Sequence, residues 1–116
     1  NELFKAGNYP AAIVKYTDAM KCDPTSALPY SNRAACYQKL MEWQRALMDA
    51  ETCVSMDPNF LKGWWRKGAI HLSFNELNKA MDCYQMVLDL DPGNAKAKAN
   101  LENVRMKIQV EKAAAE

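Results

Sequence analysis

The dipeptide Asp-Pro recurs at Asp23-Pro24, Asp57-Pro58 and Asp91-Pro92, with a constant interval of 34 residues. Ala12, Ala46 and Ala80 keep the same interval, Tyr9, Trp43 and Leu77 fall in register, Tyr30 matches Trp64, and small residues coincide at Ala34 and Gly68. A period of this length exceeds what one helix or strand generates and marks a chain that stacks one supersecondary unit on the next. Small residues let paired helices approach closely, while large ones fill the space beside them.

Each unit reads as a pair of helices. Ala12, Tyr16 and Ala19, then Ala46, Ala50 and Cys53, then Ala80, Tyr84 and Val87 repeat at i, i+4, i+7, the stripe of an amphipathic helix with one buried face. Proline at 24, 58 and 92 lacks an N–H and pushes the preceding Asp out of the α region, so a helix ends there. Ser26, Asn59 and Asn94 are then expected to cap the helices that follow. The spacing predicts helices over 1–6, 10–22, 26–39, 43–55, 60–73, 77–90 and 94–114. Counted back from Pro24, Asn1 falls at the ninth position of its repeat, so the first helix is expected to be truncated. The last predicted helix has no partner of its own. It carries Lys96, Lys98, Glu102, Arg105 and Lys107, as suits the solvated end of a stack.

Composition narrows the functional classes. Fifteen basic against fourteen acidic residues leave a net charge of +1, which does not suit a nucleic-acid binder, so any functional charge is local. No apolar run approaches membrane-spanning length, and the N-terminal residues lack the pattern of a signal peptide; a soluble, cytoplasmic chain is expected. Cys22, Cys36, Cys53 and Cys83 match no zinc spacing and are expected as reduced, buried thiols within helical stripes. The seven methionines read as core filler, and the single histidine, His71, sits between Ile70 and Leu72 and reads as packing. No nucleophile, base or metal-ligand constellation is evident, so neither catalysis nor a cofactor is expected.

The polar residues left over on the first helix of each pair carry the functional signal. Lys62 and Arg66 stand four apart and project from one face, although stacked like charges weaken a helix slightly. Stacking of the repeats is expected to bring Asn32 and Asn1 alongside them, giving an anion site. Trp65 is placed beside this group as an apolar wall for a bound peptide, whereas Trp64, in register with Tyr30, is expected to pack between helices.

Together these motifs resemble the tetratricopeptide family over the whole chain. The resemblance implies an all-α fold: a right-handed superhelical solenoid of three helix pairs plus a C-terminal capping helix, within a single domain 1–116. Repeat one covers 1–26, repeat two 27–60, repeat three 61–94, and the cap 95–116. It further implies that the first helices line a concave groove. In chaperone-binding members a carboxylate clamp of Lys and Asn, Asn, then Lys and Arg holds the C-terminal aspartate of a Glu-Glu-Val-Asp tail. Asn1, Asn32, Lys62 and Arg66 match four of those five positions, the fifth lying four residues before Asn1. Stretches such as Tyr30-Ser31-Asn32-Arg33-Ala34-Ala35-Cys36-Tyr37 and Lys79-Ala80-Met81-Asp82 are most similar to repeat modules of co-chaperones that serve heat-shock proteins 70 and 90. The implied partners are the tails of those chaperones. Two alternatives stay open: a targeting domain of a larger phosphatase or prolyl isomerase, and a structural repeat that self-associates.

Overall fold

The computed structural model describes residues 2–115, and Asn1 and Glu116 lie outside them. Seven α-helices follow one another: α1 Glu2–Lys5, α2 Tyr9–Cys22, α3 Leu28–Lys39, α4 Trp43–Met56, α5 Leu61–Ser73, α6 Leu77–Leu90 and α7 Ala95–Ala115. Each packs on its neighbour in the chain, and α3 also meets α5 directly. That additional contact sets the first helices of successive pairs side by side. The result is an elongated stack, 51 × 27 × 22 Å.

The 34-residue period reappears in the backbone. Asp23, Asp57 and Asp91 each terminate a helix, their N–H groups donating to Ala19, Cys53 and Val87. At the opposite turn, Gly7 (φ 79°), Met41 (φ 60°) and Asn75 (φ 56°) stand 34 residues apart in the left-handed conformation. Glycine and asparagine tolerate it; methionine there is strained by its Cβ. Met41→Gly is therefore expected to raise stability by about 0.5–1 kcal/mol, read as a higher urea midpoint.

Small residues sit where helices cross. Ala34, Ala46 and Ala80 are fully buried and Ala12 nearly so. A Cβ added at Gly68 would lie 3.1 Å from both Cys83 Cβ and a Tyr84 ring carbon, so the neighbouring helix would have to give by a few tenths of an ångström. One core cluster joins Ala34, Ala46, Ala50 and Ile70, and another joins Leu77, Ala80, Tyr84, Leu101 and Val104. Between α3 and α4 the half-buried Arg33 meets Asp49 in a two-pronged ion pair, with Nε to Oδ2 and Nη2 to Oδ1 both at 2.7 Å. Its remaining Nη1 donates to Thr17 on α2 at 3.2 Å.

Several sequence expectations are corrected. Asn94 caps α7, its Oδ1 accepting from the Ala97 N–H at 3.0 Å, but Ser26 and Asn59 cap nothing. Ala27 and Phe60 occupy those cap positions without a side-chain bond. The cause lies in the Asp-Pro turns: Asp23 and Asp57 accept from the Thr25 and Asn59 N–H groups, both at 3.1 Å, and fold the polar residues into the turn. Cys36, Cys53 and Cys83 are buried as expected, whereas Cys22 is exposed; it ends α2, in register with the exposed Met56. Met20 is buried, but Met41, Met48, Met56 and Met106 stand in solvent. His71 is a packing residue, 4% exposed, with Nδ1 3.0 Å from Glu76 Oε1.

Candidate functional site

A polar hollow of about 170 Å³ opens where α1, α2, α3 and α5 converge, lined by Phe4, Tyr16, Asn32, Ala35, Lys62 and Arg66. Three sequence-predicted residues, Asn32, Lys62 and Arg66, thus meet at one place. Lys62 and Arg66 lie one turn apart on α5, and the direct contact of α3 with α5 brings Asn32 to them. Asn1, also predicted, lies outside the described residues. Phe4, Tyr16 and Ala35 complete the lining beyond the residues that the sequence predicts. Phe4 and Ala35 stand three residues after Asn1 and Asn32, a spacing that keeps side chains on one helix face, so the sequence did contain that signal.

Electrostatics make the hollow cationic. Lys62 is exposed and Arg66 half-buried, and among the described residues no carboxylate forms an ion pair with either. Burial lowers the Arg66 pKa, and the neighbouring Cys36, Cys53 and Tyr16 push the other way; an arginine nonetheless stays protonated in water-accessible surroundings. Those neighbours are themselves neutral. Burial raises the Cys36 and Tyr16 pKa values and takes the Cys53 thiol up to about 11. A half-buried guanidinium surrounded by neutral groups costs solvation energy that a bound anion offsets. The amide of Asn32 adds donors without adding charge, so the site suits a carboxylate.

Neither tryptophan lines the hollow. Trp65, expected there, lies about 100° around α5 from Arg66, packs against the cluster of Leu77, Ala80, Tyr84, Leu101 and Val104, and meets the Tyr84 ring edge-on at 5.5 Å. Trp64 instead lies over the α4–α5 turn. Its Nε1 donates to the Pro58 carbonyl at 2.7 Å, and Lys67 Nζ stands 5.3 Å from its ring centroid. Trp65→Ala is therefore expected to cost about 2–4 kcal/mol of stability, and Trp64→Ala only about 1 kcal/mol. Denaturant melts followed by far-ultraviolet circular dichroism check this ranking, and equal losses would contradict the packing described.

Among the described residues no group of three or more His, Cys, Asp or Glu is placed to hold a metal ion. No helix there is long and apolar enough to cross a membrane.

Comparison with known proteins follows the same lines. The family described as TPR repeat matches residues 1–40. The Hsp70-Hsp90 organizing protein of Triticum aestivum is 49% identical over 81% of this chain, which spans 16% of that protein's length. Among solved structures, the first TPR of Spaghetti (RPAP3) bound to HSP90 peptide SRMEEVD superposes with a TM-score of 0.91 at 31% identity, covering 94% of this chain and 89% of that one. The second TPR domain of human RPAP3 in complex with HSP70 peptide SGPTIEEVD gives 0.84 at 32% identity, covering 90% and 88%. The helix pairs, their 34-residue register and these matches make the chain a member of the tetratricopeptide-repeat family.

Proposed function

We propose that this chain is an adaptor module that holds the acidic C-terminal tail of heat-shock protein 70 or heat-shock protein 90 and performs no chemistry of its own. The observation that carries this reading is the convergence of Lys62, Arg66 and Asn32 on one hollow, with no carboxylate among the described residues paired with either cation. A C-terminal aspartate presents two carboxylates on adjacent carbons. Arg66 offers a planar fork to one, Lys62 a mobile ammonium to the other, and Asn32 an amide N–H that fixes their orientation. Asn1 supplies a second amide by sequence register. Phe4 and Ala35 form the apolar part of the wall, where the aliphatic residue before the terminal aspartate fits. Trp65, which the sequence suggests for that contact, has its ring engaged with Tyr84.

The relatives and solved structures named above support the partner class, since their own names carry Hsp70, Hsp90 and Glu-Glu-Val-Asp peptides. The chain spans about a sixth of its plant relative. On this reading the module serves as the cytosolic, tail-binding part of a co-chaperone. Calorimetric titration with SRMEEVD and with SGPTIEEVD tests the proposal: at least one is expected to bind at micromolar concentration, about −7 to −8 kcal/mol, and to weaken as salt rises. Absence of binding by both at millimolar peptide would refute it.

A further inference from the structure

Arg66 is held by a contact of an unusual kind for a half-buried arginine. Its Nε donates to Ser31 Oγ at 3.3 Å, and Ser31 is 1% exposed. The serine is itself placed by its helix, its backbone N–H donating to the Ala27 carbonyl at 3.3 Å. Arg33, on the same helix as Ser31, shows the alternative: two prongs at 2.7 Å on Asp49 anchor its guanidinium and consume its charge. A hydroxyl anchor does something different. It removes rotational freedom from the guanidinium plane while leaving the full positive charge and the outer N–H pair available.

We infer that Ser31 is the positioning residue for Arg66, a neutral acceptor that aims the guanidinium fork into the hollow without compensating its charge. A carboxylate in its place would hold Arg66 more tightly and also cancel the field that attracts an anionic ligand. A methyl would leave the fork free to rotate, so that ordering it would be charged to the binding step. Ser31 thus acts on ligand affinity through Arg66 without touching the ligand.

The inference rests on the proposed function for its consequence, and its test has one arm that does not. In the free protein, the Arg66 Nε–H resonance in a ¹⁵N-labelled sample is expected to exchange slowly with water. In Ser31→Ala it is expected to exchange at least about tenfold faster, with the backbone amide spectrum otherwise unchanged. The second arm is a double-mutant cycle with the SGPTIEEVD or SRMEEVD peptide, whichever binds. Ser31→Ala is expected to weaken binding about three- to tenfold in the native background and by less than about 1.5-fold in an Arg66→Lys background, where there is no Nε–H to hold. Equal exchange rates in native protein and Ser31→Ala, or a binding loss that persists undiminished in Arg66→Lys, overturns the assignment. If neither peptide binds, the chaperone-tail reading fails, and the exchange measurement still decides whether Ser31 holds Arg66.

Discussion

Asp49→Ala is expected to lower stability by about 2–4 kcal/mol, with a melting temperature lower by roughly 10 °C. Asp49 is buried on α4, its side chain 6% accessible, while that of Arg33 is 21% accessible. The paired carboxylate raises the Arg33 pKa through its two hydrogen bonds, against the opposing effect of burial. Removing Asp49 leaves a guanidinium that is desolvated yet has only Thr17 and the faces of Tyr30 and Tyr37 beside it, with centroids 5.9 and 5.8 Å away. The partial exposure of Arg33 lets water recover some of the loss, which places the effect below that of a fully buried pair. Replacing both partners, Arg33→Met with Asp49→Leu, is expected to cost less than Asp49→Ala alone, because no charge is then stranded. A single-mutant loss within 0.5 kcal/mol of zero would mean that the pair behaves as a surface ion pair.

Arg66→Ala is expected to have the opposite profile, with stability nearly unchanged and affinity lost. Arg66 contributes little to folding: its burial is unfavourable, and the side-chain partner it meets among the described residues is the neutral Ser31 hydroxyl. In the proposed complex it would give charge-assisted hydrogen bonds to a carboxylate, worth about 1.5–3 kcal/mol, or roughly 10- to 150-fold in Kd. Arg66→Lys keeps the charge and loses the planar fork, so an intermediate loss is expected. Titration alongside a denaturant melt separates the two quantities. An Arg66→Ala protein that unfolds, or that binds the chaperone peptide as well as the native chain, would move Arg66 out of the site and into the scaffold.

The parts of this account that follow a period were legible in the sequence, and those that depend on lateral facing were not. The Asp-Pro interval located every helix, with differences of no more than a few residues at the ends; α3, for example, starts at Leu28 where position 26 was expected. The i, i+4 spacing of Lys62 and Arg66 and the register of Asn32 anticipated their convergence. Trp65 was misplaced because a helix turns about 100° per residue, and one step from Arg66 points it away from the hollow toward Tyr84. Tyr16 was read as core from its stripe with Ala12 and Ala19, yet it also lines the hollow; which side of a stripe meets a third helix is a tertiary matter. Ser31 gave no sequence signal at all, since its role exists only through a residue 35 positions away.

The measurement that bears most directly on the central claim is a paired titration of the native chain with one chaperone peptide, SGPTIEEVD or SRMEEVD, bearing either a free or an amidated C-terminus. Amidation leaves every side chain of the peptide in place and removes only the terminal carboxylate, one of the two groups that the proposed site of Lys62, Arg66 and Asn32 would receive. The account predicts micromolar binding of the free acid, weakening with salt, and at least a roughly tenfold loss on amidation. Equal affinity for the two forms would contradict it and show that the hollow between α3 and α5 is not where the tail ends.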